Sequence, residues 1–312
     1  MPVFNAAPYV VRAINSALTQ SCTVCDVEVI VVDDGSTDDS LSLIRSLAES
    51  DARVRVFEQP NHGVSSARNR GMAAARGELF ALLDSDDEWM SDYLATHMDV
   101  LRRHPHVSVV TSNVVERGGA ADGQPYWPAS NTVRPLTLLD LIQQEDSVCI
   151  MSVFRREVFE AIGGFDETLV RGSEDYDFWL RTAAAGFRLV QQRRPFGFYQ
   201  RRPDSMSASQ LNMLESIRRV LGRVKHVDGL SEAEHAAIDR QLVRFEQQHL
   251  KCEAVQALRS RHFVTAADRF KALHRAQGGM RLAVIAAWSR YAPASLMRID
   301  ALRRRSNDSL WG

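Results

Sequence analysis

Strand-length apolar runs alternate with helical segments from Val27 to Val115, and that alternation restricts the chain to very few architectures. Val27-Glu-Val-Ile-Val-Val-Asp33 is a β-branched run ending in the sharp turn Asp34-Gly35. Ser36, Thr37 and Asp38 then stand where they can cap a helix through Leu41, Ile44 and Leu47. Arg53-Val-Arg-Val-Phe57 alternates as a short strand. Asn61-His-Gly-Val-Ser-Ser-Ala-Arg68-Asn69-Arg70-Gly71 opens a small-residue helix ending at Gly77, and the apolar Glu78-Leu-Phe-Ala-Leu-Leu83 follows. A helix over Ser91–Arg103 and a strand over Val107–Val115 complete the series. This repetition predicts an α/β fold: a mostly parallel sheet flanked by crossover helices. The opening residues, Met1 to Tyr9, read as a loop leading into a helix near Pro8–Thr19.

The stretch Leu83-Asp84-Ser85-Asp86-Asp87-Glu88-Trp89 emerges where a buried strand is expected to end. In an open parallel sheet, ligands sit beyond the carboxyl ends of the strands. Four acids in five positions repel each other and lose solvation unless something positive compensates them. A magnesium or manganese ion carrying a phosphorylated ligand does so with the oxygen donors it prefers. A solvated turn with helix-capping acids is the plainer reading of an Asp-x-Asp taken alone.

After Glu116 the composition changes. Gly118 to Pro135 is rich in Gly, Pro, Asn and Ser and reads as a long surface loop. A helix near Thr137–Gln144, an apolar segment Val148–Phe154 and Gly163-Gly164-Phe165-Asp166 follow. Ser173 is placed to cap a helix beginning Glu174-Asp175-Tyr176-Asp177, whose acids suit its N-terminal dipole. Phe187–Val190 and Phe196–Tyr199 read as strands. From Ser209 the pattern is helical, which puts a domain boundary near 210: 1–209 as the α/β domain and 210–312 as an α-helical C-terminal region. The segment Arg269–Arg305 holds nine Lys or Arg and one acid, Asp300. Its arginines flank Val284, Ile285, Trp288, Leu296 and Ile299, a pattern compatible with a peripheral membrane helix broken by Pro293, or with ordinary helix packing.

Composition bounds the function classes. The hydrophobic fraction is 45%, the charged fraction 25% and the net charge −1, so no global field points to nucleic acid. Cys22, Cys25, Cys149 and Cys252 are too few and scattered for a disulfide framework, and reduced thiols are expected. The opening residues do not read as a signal peptide. Leu282–Trp288, the longest apolar run near the C-terminus, is far shorter than the ~20 residues that span a bilayer. The expectation is a cytoplasmic protein, at most peripheral on the inner face of the membrane.

Five motifs in order resemble the signatures of the family-2 glycosyltransferases. They are Val32-Asp33-Asp34-Gly35-Ser36; Asn61-x-Gly63 with Ala67-Arg68-Asn69-x-Gly71; Leu83-Asp84-Ser85-Asp86-Asp87; Gly163-Gly164-Phe165-Asp166; and Glu174-Asp175-Tyr176-Asp177 with Trp179. The resemblance covers roughly residues 2–207. It implies the GT-A fold and sugar transfer from a nucleotide-sugar with inversion, assisted by Mn2+ or Mg2+. It further implies that Phe4 stacks on the base, Asp34 accepts from it, Asp84 faces the ribose or metal, and Asp86 binds the metal. Arg68 would meet phosphate, Glu174 would lie in the donor site, and Asp175 would be the general base. Each has a plainer role: turn and cap residues for Asp33 and Asp34, structure for Arg68, helix capping for Glu174 and Asp175.

Two departures stand out. Where the family often reads Tyr-Arg-x-His before Ser-x-Ser, this chain has Tyr199-Gln200-Arg201-Arg202-Pro203-Asp204-Ser205-Met206-Ser207. Arg202 can pair with diphosphate but cannot ligate a metal. The family also carries a buried apolar strand ahead of the segment corresponding to Pro2-Val3-Phe4-Asn5. Its side chains would be worth on the order of 10 kcal/mol. The expectation is therefore either roughly six to ten further apolar residues before Pro2 or another segment in that slot. The leading reading is a metal-dependent enzyme moving a sugar, expected from a UDP-sugar, to a glycan or lipid-linked acceptor in cell-surface polysaccharide synthesis. A catalytically silent nucleotide-binding or assembly protein is the alternative. A nucleotidyltransferase would want a Gly-rich phosphate loop near the N-terminus, which these residues lack.

Overall fold

The structure is a computed structural model of the chain. It describes all residues except 23–24, 171, 203–208 and 306–312, with side chains described as far as 299. The chain divides into two compact units, Met1–Ala208 with His226–Glu234, and Ser209–Lys225 with His235–Gly312.

The first unit is α/β. In chain order it contains β1 (Pro2–Val3), α1 (Val10–Leu18), β2 (Val29–Asp33), α2 (Ser40–Ser50), β3 (Val54–Glu58), α3 (Val64–Ala74), β4 (Leu79–Ala81) and β5 (Glu88–Trp89). Then come α4 (Tyr93–Arg103), β6 (Val109–Arg117), β7 (Val133–Leu136), α5 (Leu138–Gln143), β8 (Ser152–Arg155), α6 (Arg156–Ile162), α7 (Glu174–Ala184) and β9 (Leu189–Gln200). All five residues of β2 are buried, as a strand covered on both faces requires. Strands β1, β2 and β3 form one parallel sheet. A second sheet runs β4-β8-β6-β9-β5, with β7 also on β9. Its longest ladder, β6 with β9, is parallel, while β8, β5 and β7 join antiparallel. Parallel ladders hold more of the paired residues overall.

Several expectations need correction. The opening residues are not all loop: Pro2 and Val3 pair with Val32 and Asp33 because β2 offers them a free edge. The expected single sheet is two, not hydrogen-bonded to each other. Between them lies a cavity of about 450 Å³, lined among others by Ile30 of β2, Phe80 of β4, Met72 of α3 and Leu94 of α4. The Asp-rich stretch does not simply end a strand. Its last residues, Glu88 and Trp89, form β5 against Phe198 and Gly197. The two short strands predicted after α7 are one strand, β9, with irregular register near Asn113 of its partner. The end of the expected loop, from Val133 to Pro135, belongs to β7. Cys22 and Cys25, expected as reduced thiols, are joined as a disulfide with their Cα atoms 5.8 Å apart.

The second unit is helical: α8 (Gln210–Val224), α9 (Glu232–Arg259, whose first residues belong to the first unit), α10 (Phe263–Gln277), α11 (Met280–Tyr291) and α12 (Pro293–Arg305). Ala254, Leu258, Phe270, Ile285 and Leu296 form its core. The helix break falls before Pro293, whose missing N–H is harmless in a first turn. No described helix is long and apolar enough to cross a membrane.

Candidate active site

The carboxyl ends of β1 and β2 build one wall. Asn5, in the left-handed region at φ 49°, accepts from Thr37 N–H through Oδ1, at 2.8 Å. Ser36 and Ser40 hydroxyls accept from Asn5 and Ala6 N–H. Of the residues expected to cap α2, Asp38 does so, its Oδ1 accepting from Ser40 N–H at 3.0 Å, while Ser36 and Thr37 strap the opening loop to the turn after β2. Phe4 is held there 47% exposed, with its ring available. Asp34 is buried, and its oxygens accept from Gln59 Nε2 and His62 N–H on one side and Gly63 N–H on the other, at 2.8–2.9 Å. It therefore fixes the loop before α3, and one acceptor position on Oδ2 remains for a ligand.

Arg68 of α3 sits at the centre. It is 5% exposed, and its Nη2 donates to both oxygens of Asp84 while Nη1 donates 2.7 Å to Glu174 Oε1. Burial alone would lower its pKa, but Asp84 and Glu174 outweigh burial and raise it. Arg68 thus bridges two carboxylates. Glu174 is buried in that bridge. The next residue, Asn69, clasps the Gly163-Gly164-Phe165 turn: Phe165 N–H donates to Asn69 Oδ1 and Asn69 Nδ2 donates to Phe165 O. A Cβ on Gly164 would lie 2.0 Å from Asn69 Oδ1, so only glycine fits.

Asp86 and Arg202 face each other at 3.5 Å, with the Arg202 guanidinium also over the Tyr9 ring at 5.2 Å. Pro203–Ser207, of the motif departing from the family pattern, lie outside the described residues. Glu88 pairs with Arg12 and Arg117, so it serves the structure. Asp87, to which the sequence reading gave no role, is 1% exposed. Its Oδ1 accepts from Gln200 N–H, while Oδ2 has no partner. Burial, with Asp86 and Asp84 adding, pushes its carboxyl well above the ordinary range. Its place in the motif was visible in sequence, but its burial depends on β9.

Asp175 is the second residue of α7, directly after Glu174 of the Arg68 bridge. Burial first, then Glu174, raise its carboxyl to about 7, against the pull of Arg68 and of Tyr176 N–H on Oδ1. Ser173 does not cap this helix. It is left-handed at φ 64°, and its buried hydroxyl has no partner. Among the described residues no group of three or more His, Cys, Asp or Glu is arranged to hold a metal alone. The hard oxygen donors of Asp84, Asp86 and Asp87, one of them unpartnered and buried, nevertheless suit a magnesium- or manganese-type ion whose shell phosphates complete.

Comparison with known proteins identifies the family and the fold. A family model described as glycosyl transferase family 2 matches residues 1–163. The chondroitin synthase of Escherichia coli is 30% identical over 190 residues, 60% of this chain but 26% of that protein. A glycosyltransferase of Bacillus subtilis called EpsJ, itself uncharacterised, is 29% identical over 216 residues, 66% of this chain and 61% of its own length. This chain thus matches less than two thirds of either relative. Among solved structures, S. aureus TarS 1–349 with UDP-GlcNAc superposes at TM-score 0.65 and 19% identity, covering 98% of this chain and 90% of that one. The mannosyltransferase PcManGT of Pyrobaculum calidifontis, with GDP-Man and Mn2+, superposes at TM-score 0.63 and 20% identity, covering 95% and 81%. At these identities the structural likeness establishes the fold.

Proposed function

The chain belongs to glycosyl transferase family 2, and from that premise we propose that it transfers a sugar from a nucleotide-sugar to an acceptor hydroxyl, with inversion and Asp175 as base. The observation that carries the reading is the Asp175 carboxyl, poised at about 7 at the head of α7 beside the bridge that holds Asp84 and Glu174. A base works best with its pKa near the operating pH. In the single displacement, the acceptor oxygen bonds to the anomeric carbon as the bond to the diphosphate breaks, and Asp175 takes the hydroxyl proton. Phe4 stacks on the base, Asp34 accepts from it through its remaining position, and Arg202 meets the diphosphate. Asp84, Asp86 and Asp87 would hold a divalent cation, which supplies charge neutralisation to the departing diphosphate.

The names of relatives support a polysaccharide acceptor: chondroitin synthase and hyaluronan synthase stand among them. UDP-GlcNAc in one structural neighbour and GDP-Man in another support a nucleotide-sugar, with a UDP-sugar the donor to try first. The test is a donor screen reading released nucleoside diphosphate with manganese present. Turnover by the wild type and its loss in Asp86→Ala, with unchanged melting, is the expected outcome. Turnover that Asp86→Ala leaves intact would remove Asp86 from the site, and no turnover with any donor would favour the catalytically silent reading.

A further inference from the structure

Helix α11 carries apolar side chains on two opposite sides, of which only one is packed. Ile285 and Ala286 face the helical core with Phe270 and Leu296. On the other side Met280, Val284, Trp288 and Tyr291 are 83%, 45%, 41% and 81% exposed. At helical spacing these four fall within an arc of about 80°. The same geometry puts Arg281 at one border of the arc, while Arg290 lies about 80° beyond the other, past Ala287 and Ala283; both arginines are exposed. Arg290 reaches Asp268 at 3.9 Å. Ile285 and Leu296, apolar members of the pattern read from the sequence, belong to the core and take no part in this face.

A contiguous exposed apolar face marks an interaction site. A second copy would cover the apolar side chains, but it would oppose two segments that each carry nine basic residues against one acid. An anionic bilayer answers both features. Trp and Tyr suit its headgroup level, and arginines beside an apolar stripe meet lipid phosphates. We propose that this face of α11 docks on an anionic lipid surface, independently of the chemistry assigned to the first unit.

Co-sedimentation of the full chain with phosphatidylcholine vesicles, with and without phosphatidylserine, tests this. The expected result is partition onto the phosphatidylserine-containing vesicles that weakens with salt. Trp288→Ala with Tyr291→Ala should lower it about tenfold or more. Arg281→Ala with Arg290→Ala should lower it about 25-fold, at roughly fivefold per charge. All four side chains are exposed, so unchanged circular dichroism melts should accompany the losses. Three results would overturn the proposal: no partition by the wild type, equal partition by the aromatic variant, or self-association that the same substitutions abolish without any vesicle binding.

Discussion

Arg68 is buried with one guanidinium arm on Asp84 and the other on Glu174, so carboxylates from two distant segments share a single charge. That leaves Asp175, next in the chain after Glu174, without a cation of its own, and burial drives its carboxyl up to about 7. The base form then grows in as pH rises through about 7, so turnover should climb across that range and level off above it. Asp175→Asn should cut turnover by roughly 10²–10⁴ with little change in donor affinity, and should remove this pH limb. Steady-state rates at saturating donor, set against a donor titration, check both. A collapse of affinity with the saturated rate intact would make Asp175 a binding residue.

At the scale of elements, the sequence motifs hold one another. Asp34 after β2 fixes the loop before α3, Asn69 of α3 clasps the Gly164-Phe165 turn, and Gln200 of β9 holds Asp87. Glycine at 164 follows from the clasp, since an added Cβ would force Asn69 away and break both bonds to Phe165. Gly164→Ala should therefore cost about 2–3 kcal/mol, two neutral hydrogen bonds with some desolvation. Asn69→Ala should cost a similar amount, and the double variant little more than either, because all three remove the same contact. Denaturant melts of the three variants decide. Additive losses would show that Gly164 is required for something other than Asn69.

At the scale of the molecule, stability carries a pH signature from α4. His97 is fully buried, its ring centroid 4.1 Å from that of Tyr93 in a tilted contact, with Nδ1 2.6 Å from Tyr93 O and Nε2 unpartnered. Burial lowers its pKa from 6.5 to about 4, against the opposing pull of Tyr93 O and Asp92. The native state thus keeps this ring neutral where the unfolded chain would protonate it. The resulting stability is complete above pH 6.5 and is lost as pH falls to about 4. A shift of that size corresponds to about 3 kcal/mol. His97→Phe, which keeps an aromatic ring beside Phe196, should flatten the fall of unfolding free energy between those pH values. Parallel curves for wild type and variant would show that the acid loss comes from other groups.

The sequence by itself determined the α/β class, the helical region after Ser209, and the order of acidic and glycine motifs. Those follow from the spacing of apolar side chains along a few turns or one strand, which is a local property. Only the tertiary structure decided that the sheet is two sheets, that Glu88 and Trp89 pair with β9, and that Arg68 bridges Asp84 and Glu174 rather than facing open space. It also decided which Asp of the acidic stretch is buried. Arg68 and Glu174 are 106 residues apart and Asp87 and Gln200 113, and no periodicity carries information over such separations. A carboxylate's chemistry is set by the dielectric and the charges around it, and those come from whichever distant segments fold against it.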